Sequence, residues 1–366
     1  MTRTVSAPAE APRSALLMAG PPPRDELAAW SDAPTDDRGL AEVPAFVDPA
    51  PPGWTELVDG RGVFVRRHER MVRSDRDPEP SSEPIATPDP DVPAWYVHGL
   101  GGSSTNWSRL GATLAPLAVG YSIDLPGSGH SDPPPGQRYS LTADADLLAA
   151  TIRQVTGDRP VHLVGNSLGG MVVTALTARH PDLVATLTLI SPAVPDLRLT
   201  TDRGADPRLA MVMLPGIDTV ASRRLARITA RGRAEGLART CFGRPDLLSD
   251  EDLQAAADDL GWRFGLPWVH TSTLGSLRSL IASYCRLGRW SFPATAARIQ
   301  VPVLVVWGTR DRLVDVRLSR RTADAFPDAR LLVLPECGHV AQMELPAITA
   351  AAVAALWRRE RLGDAV

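Results

Sequence analysis

The chain has 366 residues, of which 44% are hydrophobic and 22% are charged, so it can bury a sizeable core. Its 39 basic residues nearly balance its 42 acidic residues, and the net charge of −3 argues against a nucleic-acid binder. Three cysteines without a C-x-x-C pair predict neither a disulfide framework nor a zinc site. Because no run reaches about 18 apolar residues, we predict no membrane-spanning helix and expect a cytoplasmic protein.

The first part of the chain, residues 1–53, is rich in proline, alanine, aspartate and glutamate and has few large apolar residues. Such a composition cannot bury enough apolar surface to offset the entropy lost on ordering, so we predict a disordered tail. A second proline-rich stretch, residues 74–91, is expected to link an early β-hairpin around residues 62–67 to the rest of the protein.

From residue 92 onward, short apolar runs alternate with longer segments of helical pattern. The runs are rich in Val, Ile and Leu without strict alternation, which is typical of strands buried on both faces of a parallel sheet. The order predicts an α/β fold with a mostly parallel, doubly wound sheet, whose two parts are residues 54–195 and 299–366. The apolar runs begin at Ala94, Gly120, Val161, Thr186, Val303 and Leu331.

The alternation stops between residues 196 and 298, where the sequence is helical and rich in arginine. We predict that this segment is a helical lid inserted into the sheet domain. Its aromatic residues could line the substrate pocket or form the core of the lid, and both alternatives stay open. The candidate substrate-binding residues in it are Trp262, Trp268 and His270.

The most informative segment is a serine-containing turn after the apolar run that starts at Val161. Its sequence, Gly165-Asn166-Ser167-Leu168-Gly169, has the pattern G-x-S-x-G between a buried strand and a run of helix formers. Small residues two positions before and after the serine let the strand and the helix approach closely. The N-terminus of the helix also favours negative charge that develops nearby. We therefore predict that Ser167 is a catalytic nucleophile.

A serine nucleophile needs a base to accept its proton and an acid to orient that base. Of the seven histidines, His339 follows the last buried strand and has a glycine beside it. We expect it at the carboxyl edge of the sheet, where Ser167 also lies. The acid is expected just past the preceding strand, where Asp311 lies, with Asp315 and Asp196 as rivals.

Acyl transfer also needs N–H groups that stabilise the negative charge on the substrate oxygen. The N–H of Leu168, directly after the serine, is one candidate. The second is the N–H of Leu100 in the loop His98-Gly99-Leu100-Gly101-Gly102, which follows the run that starts at Ala94. No cluster of metal ligands and no dinucleotide-binding glycine pattern is visible, so we expect a small-molecule substrate and no metal or organic cofactor.

These motifs, in this order, resemble those of the α/β-hydrolase fold superfamily, and the similarity covers residues 92–190 and 302–357. The resemblance implies that fold and the chain order Ser167, Asp311, His339 for the catalytic residues. Because serine stands at the nucleophile position, the dehalogenases and epoxide hydrolases of this fold, which use aspartate there, are disfavoured.

Gly165-Asn166-Ser167 and the segment from Cys337 to Glu344 are similar to the meta-cleavage-product hydrolases, which split carbon–carbon bonds. The chain departs from them at the Gly-Leu-Gly-Gly loop, where they usually have Gly-Pro-Gly, and at Val340, where they usually have tryptophan. We predict a serine hydrolase that acts on a small apolar ester through an acyl-enzyme. The alternatives are a carbon–carbon bond hydrolase, a cofactor-free haloperoxidase or perhydrolase, and a non-catalytic ligand-binding protein on the same scaffold.

Overall fold

A computed structural model describes residues 24–38, 40, 52–68, 92–196 and 228–363. Six strands form where the sequence predicts buried strands from apolar runs, and two more polar strands form the first hairpin. The strands are β1 (Gly53–Val58), β2 (Arg61–His68), β3 (Ala94–Val97), β4 (Gly120–Ile123), β5 (Val161–Asn166), β6 (Val184–Ile190), β7 (Val303–Gly308) and β8 (Ala329–Leu334).

The eight strands form one sheet in the order β1-β2-β4-β3-β5-β6-β7-β8. β2 pairs antiparallel with both β1 and β4, and every other neighbouring pair is parallel. Strands β3, β5, β6 and β7 are buried along their whole length, as expected for strands covered on both faces. The predicted α/β fold with a mostly parallel sheet is confirmed, and the predicted early hairpin is β1–β2.

Helices cover both faces of the sheet. In β3, Trp95 points into the apolar cluster on one face of the sheet, and Tyr96 points into the cluster on the other face, where it stacks on Trp107. The helices are α1 (Ser108–Leu114), α2 (Leu141–Thr156), α3 (Leu168–Arg179), α4 (Ala230–Cys241), α5 (Asp250–Phe264), α6 (Val269–Tyr284), α7 (Phe292–Ala296), α8 (Ser319–Ala323), α9 (Ala341–Glu344) and α10 (Pro346–Gly363).

Residues 24–38 pack against β8, so the prediction of a disordered tail is wrong for this part of residues 1–53. The N–H of Asp32 donates to the carbonyl of Leu331 at 2.9 Å, and the N–H of Leu331 donates to Oδ1 of Asp32 at 2.7 Å. Leu27 is fully buried. β8 ends the sheet, and the segment covers backbone groups that an edge strand leaves unpaired. Residues 1–23, 39 and 41–51 of the predicted tail and the proline-rich stretch 74–91 lie outside the described residues.

Helices α4 to α7, which we call the inserted helices, lie between β6 and β7 in the segment that the sequence predicts as a lid. Residues 197–227 of that segment lie outside the described residues. The inserted helices contact the carboxyl edge of the sheet directly, since the carbonyl of Cys241 at the end of α4 accepts the N–H of His339 at 2.6 Å. Among the residues with a described structure, no helix combines the length and the apolar character that crossing a membrane requires.

Candidate active site

Ser167 lies between β5 and α3 in a strained backbone conformation, with φ 54° and ψ −117°. Residues other than glycine rarely adopt a positive φ, and the surrounding structure must hold them there. Here the N–H of Ser167 donates to the carbonyl of Ile190 at 3.0 Å, and its own carbonyl accepts the N–H of Ala193 at 3.0 Å. The end of β6 and the loop after it therefore fix the serine turn from both sides.

The glycines on either side of Ser167 are needed for close packing. A Cβ atom on Gly169 would lie 2.2 Å from the carbonyl oxygen of Val97, and one on Gly165 would lie 2.6 Å from the carbonyl oxygen of Gly169. Both distances are far below a van der Waals contact. The G-x-S-x-G pattern thus reflects the approach of α3 to the ends of β3 and β5, for the reason inferred from the sequence.

His339 and Asp311 form a buried pair at the same edge of the sheet. Nδ1 of His339 lies 2.8 Å from Oδ2 of Asp311, and the two residues are 4% and 0% exposed. The other carboxylate oxygen accepts the N–H groups of Leu313 at 2.9 Å and Val314 at 3.0 Å. Because an ionised carboxylate can only accept, Nδ1 carries the proton, and Nε2 is left as the acceptor nitrogen.

Asn166 joins the serine turn to the loop that carries His339. Its Nδ2 donates to the carbonyl of His339 at 3.0 Å and to the carbonyl of Ile190 at 3.0 Å. Asn166 immediately precedes Ser167, so this amide sets the spacing between the two loops. No role of its own was predicted for Asn166 from the sequence, although its place inside the serine motif could have indicated one.

The rival acids are placed differently. Asp315 caps a short helical turn, and its Oδ1 accepts the N–H of Arg317 at 2.9 Å and the Nε of the same arginine at 3.0 Å. It is thus held in an ion pair with its own neighbour. Asp196 lies at the end of the described segment that follows β6. The carboxylate that contacts the imidazole is that of Asp311.

The glycine-rich loop after β3 lies against the serine turn. A Cβ atom on Gly99 would lie 3.0 Å from Cβ of Ser167. His98 anchors this loop, because its Nδ1 lies 2.7 Å from the carbonyl of Gly99 and its Nε2 accepts the N–H of Leu125 at 3.0 Å. The acceptor role of Nε2 requires the neutral ring, and burial lowers the pKa of His98, which favours that form.

Leu168 and Leu100, the two predicted N–H donors, belong to the segments that adjoin Ser167. Leu168 is the first residue of α3, so its N–H has no acceptor within the helix. The same helix end carries a partial positive charge, which favours a developing anion. Leu100 is partly buried in the turn after β3. Donation by these two N–H groups to a substrate oxygen stays a prediction.

The three candidate substrate-binding residues of the inserted segment have different surroundings. Trp262 is 43% exposed and stacks on His130 of the sheet domain, with ring centroids 4.1 Å apart. Its indole thus joins α5 to the loop after β4, and a substrate contact of Trp262 stays a prediction. His270 packs edge-on against Phe264, and Nε1 of Trp268 is buried without a hydrogen-bond partner in the described part of the chain. A substrate contact of Trp268 or His270 stays a prediction.

A family model described as the alpha/beta hydrolase fold matches residues 96–346. The chain is 30% identical over 251 residues to a pimeloyl-[acyl-carrier protein] methyl ester esterase from Chromobacterium violaceum, covering 68% of this chain and 87% of that protein. It is 26% identical over 253 residues to a 2-hydroxy-6-oxononadienedioate/2-hydroxy-6-oxononatrienedioate hydrolase from Cupriavidus pinatubonensis, covering 68% of this chain and 80% of that protein.

A solved structure of a meta-cleavage product hydrolase from Pseudomonas fluorescens shares the fold. Its TM-score is 0.61 at 18% identity, over 84% of this chain and 98% of that one. The family match spans most of the sheet, the serine turn and the loops that carry Asp311 and His339. By this match and by the sheet order described above, the chain belongs to the α/β-hydrolase family.

Proposed function

We propose that the protein is a serine hydrolase that cleaves a small apolar ester through an acyl-enzyme. Ser167 is the nucleophile, His339 is the general base and then the general acid, and Asp311 orients His339. The observation that carries the proposal is the 2.8 Å contact between Nδ1 of His339 and Oδ2 of Asp311. This buried pair is tied to the serine turn through Asn166.

The reaction follows from the protonation states of these groups. Nε2 of His339 accepts the proton of the Ser167 hydroxyl while the serine oxygen attacks the ester carbonyl carbon. The carbonyl oxygen becomes negative, and the N–H groups of Leu168 and Leu100 stabilise it. The tetrahedral intermediate then expels the alcohol, which takes the proton from Nε2 of His339. A water molecule attacks the acyl-enzyme by the same steps in reverse order and releases the acid.

The anchoring of Asp311 suits this cycle. Its Oδ1 is held by the N–H groups of Leu313 and Val314, so Oδ2 stays in place when the imidazole becomes positively charged. The carboxylate stabilises that charge without taking the proton. A mobile carboxylate would let the ring turn away between the two proton transfers.

The residues next to Ser167 favour an apolar substrate. Leu168 and Met171 in the first turn of α3 belong to a buried apolar cluster, and Leu100 packs against it. Leu280 of the inserted helices belongs to the same cluster. A charged group placed against such side chains would lose its hydration, whereas an apolar acyl chain would not.

The direct test compares Ser167→Ala with Ser191→Ala in a p-nitrophenyl ester assay. Ser191 is a buried serine that also has a positive φ, 42°, at the end of the neighbouring strand, so it is a matched control for the backbone. We expect Ser167→Ala to abolish turnover and Ser191→Ala to retain it, with both melting temperatures within about 3 °C of the parent. Turnover retained by Ser167→Ala would refute the proposal.

The second candidate is a carbon–carbon bond hydrolase of the meta-cleavage-product type. One relative bears the name of a 2-hydroxy-6-oxononadienedioate hydrolase, and Asn166 and the segment around His339 resemble that group. Val340, which is buried beside His339, stands where that group usually has tryptophan. Parallel assays with a p-nitrophenyl ester and a ring-fission product separate the candidates, because the favoured substrate should have the larger kcat/KM.

A further inference from the structure

Arg263, near the end of α5, reaches from the inserted helices to the glycine-rich loop after β3. Its Nη1 donates to the carbonyl of Gly101 at 2.7 Å. Its Nη2 pairs with Oδ2 of Asp259, one helical turn earlier, at 2.7 Å. The residue is only 9% exposed, so this is a buried cation with one hydrogen bond to the sheet domain and one ion pair on its own helix.

In the loop that Arg263 contacts, Leu100 packs against the apolar core, but the next residue, Gly101, has no side chain to hold it. Gly101 has a φ of +70° and no atom within 4 Å of where its Cβ would lie. Within the loop, the N–H of Gly102 donates to the carbonyl of Gly99 at 3.0 Å, and His98 binds that same carbonyl. Glycines have more conformational freedom than other residues, so a loop of this composition needs bonds from outside to hold one geometry.

We infer that Arg263 is a positioning residue for the reaction, because its bond to Gly101 fixes the loop that supplies the N–H of Leu100. This inference rests on the proposed function, in which that N–H stabilises the negative oxygen. The Gly101 carbonyl belongs to the Gly101–Gly102 peptide and the Leu100 N–H to the Gly99–Leu100 peptide, so only the Leu100–Gly101 peptide separates them, and a displacement of the carbonyl moves the backbone that orients this N–H. Hydrogen bonds from a charged donor are about twice as strong as neutral ones, which makes a guanidinium an effective anchor for a carbonyl.

The burial of the Arg263 guanidinium supports a structural role for its hydrogen bond to Gly101. Removing a guanidinium from water costs free energy. An ion pair within one helix can form at the exposed surface, where such pairs contribute little to stability, so the pair with Asp259 does not explain why Arg263 is buried. Asp259 compensates the charge, but its side chain is 30% exposed and would not require Arg263 to be buried. The contact of the buried guanidinium with the sheet domain is the bond from Nη1 to the Gly101 carbonyl, while Nε is buried without a hydrogen-bond partner among the described residues.

The test is Arg263→Met, with Arg231→Met on α4 as the matched control. Arg231 pairs with Glu235 and Asp250, and its side chain is 36% exposed. Because removal of one oxyanion donor lowers kcat by 10²–10³, displacement of the loop should lower kcat by about 10–100-fold, with KM within about threefold. A trifluoromethyl ketone, which forms an oxyanion on Ser167, should bind more weakly by a similar factor. Arg231→Met should leave all three quantities unchanged.

Hydrogen exchange measures the loop without relying on activity. Arg263→Met should speed exchange in the peptide that covers residues 98–107 and leave the β7 peptide unchanged, whereas Arg231→Met should change neither. The double variant Arg263→Met/Asp259→Asn serves if the single variant is unstable, since it removes the unpaired carboxylate. If the double variant regains the melting temperature of the parent but kcat stays low, the inference is supported. If the melting temperature and kcat both recover, it is overturned.

The inference and the proposed function can fail separately. If Ser167→Ala is inactive but Arg263→Met keeps kcat within about threefold of the parent, only the inference is overturned. If Ser167→Ala keeps its turnover, the proposed function fails, and the role of Arg263 in that reaction fails with it. In that case the exchange experiment still shows whether Arg263 holds the loop.

Discussion

Glu344 accepts the backbone N–H of Gly338 at 2.7 Å, one residue before His339. The same carboxylate accepts the N–H groups of Gly243 at 3.0 Å and Arg244 at 2.8 Å, in the turn that follows α4. A Cβ atom on Gly338 would lie 2.2 Å from the carbonyl oxygen of Cys241, so the two segments are in direct backbone contact. One side chain therefore fastens the inserted helices to the loop that carries the proposed base.

Glu344→Gln should loosen both segments. The amide keeps one acceptor oxygen but turns an NH₂ group toward backbone donors, so at least one N–H loses its partner. Hydrogen bonds to charged groups contribute about 1.5–3 kcal/mol each, and we expect a loss of about 2–4 kcal/mol in the free energy of unfolding. Urea denaturation measures this, with Glu235→Gln on the solvent side of α4 as the control. Equal free energies of unfolding for the two variants would show that Glu344 does not hold the two segments together.

Asp311→Asn should lower kcat for a p-nitrophenyl ester by about 10⁴-fold, because an amide at this position favours the wrong tautomer of His339. Asp315→Asn and Asp196→Asn should each keep kcat within about tenfold of the parent. Steady-state kinetics of the three variants measure these changes in kcat. A large loss of kcat in Asp196→Asn with a small loss in Asp311→Asn would contradict the proposal, because the acid would then follow β6 and not β7.

Asp144 gives the protein a pH-dependent stability that is separate from the site. It is 6% exposed in the first turn of α2, and burial raises its pKa to about 7, although Arg61 acts in the opposite direction. The unfolded carboxyl has its ordinary pKa of 3.8. Between these values the folded state binds more protons than the unfolded state, so stability falls as the pH rises from about 4 to 7.

Asp144→Asn removes this titration. Relative to the parent, the variant should gain about 2–3 kcal/mol in the free energy of unfolding between pH 5 and pH 8, from 1.36 kcal/mol per pH unit. Asp158→Asn, at a side chain that is 77% exposed, is the control and should show no such gain. A parallel pH dependence of parent and Asp144→Asn would mean that the carboxyl ionises normally in the folded protein.

Trp268 and Trp262 allow a matched test of whether the inserted helices set the preference for the length of the acyl chain. If Trp268 lines the pocket, Trp268→Ala should change the ratio of kcat/KM between octanoate and acetate esters by about 10-fold, as expected for a pocket wall that contacts the longer chain. Trp262→Ala should keep that ratio, because the indole stacks on His130 at 4.1 Å. Equal losses on both esters in Trp268→Ala would make Trp268 a packing residue.

Much of the candidate site could be predicted because each of its key residues lies at or shortly after the carboxyl end of a strand. Ser167 follows β5, Asp311 follows β7 and His339 follows β8, and parallel strands bring their carboxyl ends to one edge. The local pattern of apolar runs was therefore enough to place these residues near one another. The Asp311–His339 contact agrees with the chosen pair over Asp315, which bonds to Arg317 instead.

The remaining features depend on contacts between distant parts of the chain. Arg263 of the inserted helices donates to Gly101 of the sheet domain, and nothing in the local sequence around either residue indicates this partner. Residues 24–38 bind β8 through side chains such as those of Ser31 and Asp32, without the apolar alternation that marks a strand. The stacking of Trp262 on His130 could not be predicted either, since an aromatic residue in a lid packs equally well on substrate or on protein.

Covalent labelling measures whether Ser167 is an activated nucleophile. The folded parent protein is treated with a fluorophosphonate, and the adduct is located by peptide mass spectrometry. We expect one phosphonylated residue, Ser167, no labelling of Ser167→Ala, and much slower labelling of Asp311→Asn. Folded parent protein that stays unlabelled, or carries the adduct on another residue, would contradict the proposal that Ser167 is the nucleophile.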